Sequence, residues 1–472
     1  MGSKSGLNIN DKFFRNVSGK LSFASSDFED YLKKAENAYR IILEGKNPLL
    51  YDGDNLMTGW IGLPYDYLNN KLFFINEIKY AAKKFSKNTD IFLSSGIGGS
   101  YLGLEAALSV LLPFNYNFID KKKRPYPKIF FIGNHMSPDE TAFILEAIRN
   151  KNVGINVISK SGTTIETAVA FRLIRSIIEK RKRKADKIIV TTNSKKGGLL
   201  KLMEERGYNK KYFSEESLKL FSISENIGGR YSVTSPVGLF GLAVAGIDIE
   251  EFLKGALYAQ EKISPENISN IAFTRSALRT LAGDKGAKIE NIVSTEKKLT
   301  GLTKWCRQLW SESEGKNGKG IWVSSGFYTE DAHSIGQMIS GGERNIIETF
   351  ITKKEIKHKI NIPDTKDDKD GLDFLAKQKK DITFINNCAK TGLCFDHSVR
   401  GVPVLEYEFD KITPFTLGEF FQYEMNACLI SCVMQGINGV TQPDVEGYKK
   451  AMYALSGKEG YEDLKNNILK NI

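Results

Sequence analysis

The sequence predicts an α/β protein with two tandem domains, each a mostly parallel sheet flanked by helices. Two observations carry the prediction. Short apolar runs alternate with amphipathic helical stretches from about residue 90 onward, the pattern of a parallel sheet covered on both faces. The alternation then starts again after a helical stretch near residue 270, which suggests an ancient duplication although no period is readable in the letters. A chain of 472 residues with 41% hydrophobic and 26% charged residues has ample material for two such cores and is not disordered.

The boundaries expected are an N-terminal helical region over 1–90, a first domain over 91–250, a second over 270–440 and a C-terminal helical tail over 441–472. In the first region, DFEDYLKKAENAYRIIL shows helical spacing of apolar and charged residues. The first domain offers strands at DIFLSS (from Asp90), KIFFIG (from Lys128), GINVIS (from Gly154), KIIVTTN (from Lys187) and LKLFSIS (from Leu218). Between them lie the helices ETAFILEAIRN and TAVAFRLIRSIIEKR, the first preceded by Ser137-Pro138-Asp139-Glu140, a capping box with Pro at the first helical position. The second domain offers NIVST (from Asn291), GIWVSS (from Gly320), RNIIETFI (from Arg344) and VPVLEYEF (from Val402). The charged segment from Lys353 to Leu372 reads as a surface excursion. A long helix is expected from Thr416, where T-x-x-E forms a capping box, to about Gln435. In the tail, Val445, Tyr448, Met452 and Leu455 recur at helical spacing, with Gly457 as a stop.

Composition excludes several classes. The five cysteines (Cys306, Cys388, Cys394, Cys428, Cys432) are odd in number and lack CxxC spacing, which excludes a disulfide scaffold or zinc ribbon and fits a reducing cytoplasm. The N-terminal stretch has no apolar run of a secretory signal, and Gly6 occupies the Ser/Thr position of a myristoylation motif. The uncharged windows Tyr231–Ile247 and Asn426–Pro443 are too short and too punctuated by polar residues to span a bilayer. A net charge of +11 could attract nucleic acid or a phosphorylated metabolite. The basic run EKRKRKADK from Glu179 has no interleaved aromatics and reads as a solvated face, so neither nucleic acid nor membrane is an expected partner.

Five segments bear chemistry. In SSGIGGSYLGLEAAL the glycines at 96, 98 and 99 stand between a strand and a helix opening near Ser100, where N–H groups can approach an anion; the spacing is not that of a dinucleotide fingerprint. Ser159-Lys160-Ser161-Gly162-Thr163-Thr164-Ile165-Glu166-Thr167 places five hydroxyls and a lysine at another strand-to-helix junction, a phosphate cradle. Thr163 and Glu166 could also form a capping box, which uses one hydroxyl and leaves the others free. Glu312 in QLWSESEGK and His333 in TEDAHSIGQ are the residue types that move protons near neutral pH, although acidic residues also populate ordinary surfaces. Arg230, after Gly228-Gly229, could hold an oxyanion with its fixed fork of donors. Gln442 and Lys449 in QPDVEGYKK stand seven apart, so both can lie near one helical face; a solvated lysine is the ordinary reading.

Together, GIGGSYLGLEAAL, SKSGTTIET, IGGRYSVTSPVGL, QLWSESEGKNGKGI, EDAHSIGQ and QPDVEGYKKAM resemble, in order, the motif set of the phosphoglucose isomerase family in its shorter bacterial form. The resemblance implies two sugar-isomerase (SIS-like) domains and an aldose–ketose isomerisation of glucose 6-phosphate and fructose 6-phosphate without metal or cofactor. It also implies a homodimer with shared sites. Glu312 matches the base that moves a proton between carbons 1 and 2, and Arg230 the group stabilising the enediolate. His333, contributed across the interface, and Lys449 match the residues that assist ring opening. Ser159, Lys160, Ser161, Thr163 and Thr164 fall on the phosphate loop, and Gly99, Ser100, Gln308 and Gln442 on further substrate contacts. Trp310-Ser311 departs from the Phe-Gly usual before the catalytic Glu. A non-catalytic sugar-phosphate sensor would keep SKSGTT but could dispense with Glu312, His333 and Lys449, all present here. An isomerase also accepting mannose 6-phosphate is the alternative within the class.

Overall fold

The structure, a computed structural model, describes residues 5–181, 183–363, 371–375 and 380–472. Its strands are β1 (Leu7–Asn10), the short pair β2 (Tyr51–Asp52) and β3 (Asn55–Leu56), then β4 (Ile91–Ser95), β5 (Lys128–Ile132), β6 (Val153–Ser159) and β7 (Lys187–Thr192). The second half holds β8 (Ile289–Ser294), β9 (Trp322–Phe327), β10 (Ile346–Lys353) and β11 (Val404–Phe409). Besides the antiparallel pair β2-β3, two sheets form, ordered β5-β4-β6-β7 and β1-β11-β10-β8-β9, and within these two every pairing is parallel except that of β1 with β11. Counted within its own half, each sheet runs second strand, first, third, fourth, so the repeated alternation in the sequence folds into one repeated topology. Strands β4 and β6 are buried along their whole length, as expected of parallel strands covered on both faces.

The halves join through equivalent helices, Leu102–Leu111 after β4 and Thr300–Glu314 after β8. A Cβ on Gly301 would stand 2.3 Å from Ser109 Oγ and 3.0 Å from the Ala106 Cα, so this approach requires glycine. One apolar cluster runs through both halves and includes Leu104, Phe240, Trp305 and Phe420.

Several expectations need correction. LKLFSIS is not a strand: Ser214 caps a helix Glu215–Leu220 through the Ser217 N–H, and Glu215 and Glu216 favour its first turn. Only the Ile223 N–H reaches the end of β7, on Thr192 O at 2.9 Å. The first ninety residues hold the expected helices but also supply β1, whose Leu7 is buried and pairs with Phe409 at the edge of the second sheet. The long helix begins earlier than expected, at Pro414, capped by Thr413 with Thr416 returning the reciprocal bond. Glu419 is therefore released from capping and accepts from the Gly6 N–H at 3.5 Å. Ser137 accepts from the Glu140 N–H as expected, but the Glu140 carboxylate pairs with His135 at 2.8 Å instead of completing the box. A further helix, Glu462–Lys470, follows Gly457. Part of the charged excursion and Lys182 of the basic run lie outside the described residues; Lys354–Pro363 is mostly exposed. No helix of the described residues is long and apolar enough to cross a membrane.

Candidate active site

A cleft of about 930 Å³ opens where the two halves meet the C-terminal tail. It is lined by Gly99, Ser100, Ser159, Lys160, Ser161, Thr163, Thr164, Arg230, Gln308, Glu312, Gln442 and Lys449. Every candidate residue except His333 is therefore brought to one cavity. His333 is exposed on the turn Glu330–His333 and does not line the cleft of its own chain.

At one end is the junction between β6 and the helix Ile165–Arg181. Gly162 has φ +69°, a conformation open to glycine, and turns the chain. Ser159 Oγ accepts from the Gly162 N–H (3.1 Å) and Ser161 Oγ from the Thr163 N–H (3.2 Å). The Thr163 hydroxyl donates to Ser161 Oγ, not to the helix start, so the Thr163/Glu166 capping box does not form. The first backbone bond of this helix runs from the Ala168 N–H to Thr164 O, leaving the preceding N–H groups aimed outward at the positive end of the dipole. Thr167 Oγ1 is buried beside them with no partner among the described residues. The Lys160 ammonium is turned onto backbone, donating to Glu225 O (3.0 Å) and Ile227 O (3.1 Å), and burial pulls it below the ordinary lysine range. It ties the loop to the segment that leads into Gly228-Gly229-Arg230.

The other end centres on Arg230, which is 3% exposed. Its Nε donates to Ser313 Oγ (2.6 Å), Nη1 to Gln442 Oε1 (2.9 Å), and Nη2 to Gly439 O (2.6 Å) and Thr441 O (3.1 Å). A guanidinium has five N–H donors, so one on Nη1 is left. That nitrogen lies 3.6 Å from Glu312 Oε1. The second carboxylate oxygen of Glu312 accepts from Gln308 Nε2 at 2.9 Å, one helical turn back. Gln308 Oε1 is buried without a partner among the described residues and is available to a hydroxyl donor.

Gly99 is held by close backbone approach: a Cβ there would stand 2.1 Å from the Gly229 carbonyl carbon and 2.7 Å from the Arg230 nitrogen. Lys449 rides the helix Glu446–Leu455 and pairs with Glu446 at 2.6 Å. Burial pulls its ammonium down, but the bond to Glu446 and the charges of Glu446 and Glu312 outweigh that and hold it above the ordinary lysine value. Gln442 precedes this helix, at φ −151°, so it and Lys449 reach the cleft around a turn and do not share a helical face.

Sequence reasoning missed three supports. Lys316 donates to Glu312 O (2.9 Å) and Ser313 O (2.5 Å), closing the helix end beneath Glu312; burial, then repulsion from Arg230, pulls its ammonium down. Trp60 stacks on Tyr231 with centroids 5.0 Å apart, bracing the turn that carries Arg230. Trp310 lies between buried charges: its N–H donates to Glu424 at 2.7 Å, and the Arg275 and Arg279 guanidiniums sit 4.7 and 4.5 Å from its ring centre. The indole thus makes a bond that a phenylalanine ring at this position could not make.

The sequence model described as phosphoglucose isomerase matches residues 43–459. The chain belongs to the phosphoglucose isomerase family. A glucose-6-phosphate isomerase of Caldanaerobacter subterraneus is 42% identical over 422 residues, covering 89% of this chain and 90% of that protein. One of Acetivibrio thermocellus is 38% identical over 445 residues, 93% of this chain and 94% of that protein. Among solved structures, a hypothetical protein of Thermus thermophilus superposes with a TM-score of 0.78 at 22% identity, covering 96% of this chain and 100% of that one. A glucose-6-phosphate isomerase of Chlamydia trachomatis superposes with a TM-score of 0.72 at 17% identity, covering 100% of this chain and 93% of that one. These two share this chain's fold of two mostly parallel sheets flanked by helices.

Proposed function

We propose that the protein interconverts glucose 6-phosphate and fructose 6-phosphate through a cis-enediol, with Glu312 as the base. The observation that carries this is one carboxylate held between Gln308 and a spare N–H of a buried arginine, in a cleft whose far end is a hydroxyl-rich helix start. The 6-phosphate accepts from the N–H groups and hydroxyls between Ser159 and Thr167, which fixes the reach of the sugar chain and supplies proximity. Lys449, protonated at neutral pH, gives a proton to the ring oxygen as the ring opens and regains one from the anomeric hydroxyl, which becomes the carbonyl. The exposed carbonyl acidifies the neighbouring C–H; Glu312 takes that proton, the hydroxyl proton passes from one enediolate oxygen to the other, and Glu312 returns its proton to the adjacent carbon. Negative charge on the enediolate oxygen is offset by the remaining Nη1 donor of Arg230, whose other donors are already committed and need no reorganisation.

His333 serves the cleft of a partner subunit in a homodimer. Its exposure, its absence from its own cleft and the exposed Ile335 and Met338 beside it support this reading. Five free thiols support a cytoplasmic setting. A coupled assay with fructose 6-phosphate tests the activity, and no turnover refutes it. Mixing Glu312→Gln and His333→Ala chains tests the shared site: the heterodimer has one site lacking both groups and one lacking neither, so about half of the dimeric activity should return. Mixed chains that exchange and stay inactive would place His333 in its own site.

A further inference from the structure

The helix Glu446–Leu455 brings Lys449 into the cleft, yet Ala454 is its single buried residue. Among the described residues, one side-chain hydrogen bond links this helix to the sheets: the Tyr453 hydroxyl donates to the carbonyl oxygen of Thr163 at 2.9 Å, across 290 positions of sequence. Thr163 lies in the middle of the hydroxyl loop, and Tyr453 also lines the cleft.

We infer that Tyr453 is a positioning residue that couples occupation of the hydroxyl loop by the substrate's phosphate to the placement of Lys449. The inference rests on the isomerase reading above for the roles of loop and lysine. In a trans peptide the C=O and the following N–H point in opposite directions. By holding the Thr163 carbonyl, Tyr453 sets the plane of the peptide whose N–H belongs to Thr164, at the start of the helix Ile165–Arg181. An anion accepting from that N–H polarises the peptide and makes its carbonyl a better acceptor; the tyrosine donating to the carbonyl makes the N–H a better donor. The two events therefore strengthen one another, and the coupling acts equally in both directions. Lys449 and Tyr453 are four residues apart on one helix, so they share a face. Docking the tyrosine on the loop fixes both the height and the rotation of the helix, and with them the ammonium.

Two measurements on the full-length protein test this. The first uses inorganic phosphate as the probe and amide hydrogen exchange as the readout, with no turnover. In the parent, phosphate should slow exchange both at 161–167 and at 446–455. Tyr453→Phe should keep the slowing at 161–167 and lose it at 446–455. Equal slowing at 446–455 in both proteins, or none there in the parent, overturns the coupling. The second compares kcat/KM for fructose 6-phosphate in a double-mutant cycle. Tyr453→Phe should cost about three- to tenfold in the parent, the worth of one hydrogen bond, and under about twofold in a Lys449→Met background. Equal costs in the two backgrounds would show that Tyr453 does not act through Lys449. A parent without isomerase activity would sink the isomerase reading alone, because the exchange measurement still decides the coupling.

Discussion

The two sheets have the same strand order and put it to different uses, most visibly where the third strand of each ends. After β6 the chain turns within residues 160–164 into the helix Ile165–Arg181, leaving hydroxyls and N–H groups at a short helix entrance. After β10, at the equivalent place, the next α-helix among the described residues begins at Ile382, and of the stretch between them Lys354–Pro363 is mostly exposed. The first-strand junctions differ too. The one after β4 offers Gly99 and Ser100 at the cleft, whereas the helix after β8 offers Glu312 from near its C-terminal end. The interiors follow the same division. The first sheet buries a neutral pair, Thr191 donating to Asn156 at 3.0 Å. The second buries Arg275, Arg279, Glu290, Glu314 and Glu424, all at 0 or 1% exposure. Equal topology thus does not mean equal chemistry. A tight strand-to-helix junction makes an anion site, while a helix braced from below by buried charge can hold a base in a defined orientation.

That division can be broken experimentally. The largest effect is expected at Glu312, the base proposed for the second half. Glu312→Gln keeps the shape and loses the proton acceptor, so kcat should fall by about 10²–10⁴ with binding of a substrate analogue largely intact. Residual activity within about tenfold of the parent would assign the base elsewhere.

Arg279→Met tests the charged interior. Arg279 donates two bonds to Glu314, at 3.2 and 2.7 Å, and another to Glu290. Burial alone would raise the Glu290 carboxyl, but the Arg275 and Arg279 charges hold it below the ordinary range. Removing one partner leaves carboxylate charge uncompensated, and denaturant unfolding should register a loss of about 3–5 kcal/mol. The counterpart in the first sheet, Thr191→Val, should cost only about 1 kcal/mol. Similar losses would mean that the two interiors do not differ in the way their charges suggest.

Removing the loop hydroxyls, Ser159→Ala with Thr164→Val, should weaken binding of phosphorylated sugars by roughly tenfold or more, since bonds to charged groups contribute about 1.5–3 kcal/mol each. Unphosphorylated sugars should be unaffected in a direct binding titration. Equal weakening of both would remove the phosphate role from the first sheet.

The smallest effect concerns the seam where β1 joins the second sheet. Burial pushes the Glu419 carboxyl up to about 7, against the lowering influence of Ser5 and the Gly6 N–H. The folded state then binds this proton more tightly than the unfolded chain. Its contribution is present below the unfolded value near 4.5 and is lost as pH rises through about 7. The urea midpoint of the parent should fall between pH 5 and pH 8 relative to that of Glu419→Gln. Parallel pH profiles would mean that Glu419 ionises as an exposed carboxylate does.

Much of this was legible in the residues, because strands buried on both faces are continuous apolar runs and helix starts carry their own caps. β4 to β11 all fall where such runs stand, and the Ser159–Thr164 and Gly98–Ser100 junctions stand where hydroxyls and glycines cluster. The misreadings are local contests. LKLFSIS alternates like a strand, but the Ser214 cap and two acidic residues made its first part helical. β1, with four residues, is too short for its period to be read. The tertiary structure alone decided which long-range partners each group meets. The Lys160 ammonium went to backbone carbonyls 65 and 67 positions away, Arg230 to Gln442 at 212, and Tyr453 to Thr163 at 290. It also left His333 outside the cleft, 21 residues from Glu312 in the chain. Composition and periodicity report the short-range physics of helix, strand and turn. Which side chains share a cleft depends on how two sheets and a tail pack together, and no local pattern encodes that distance.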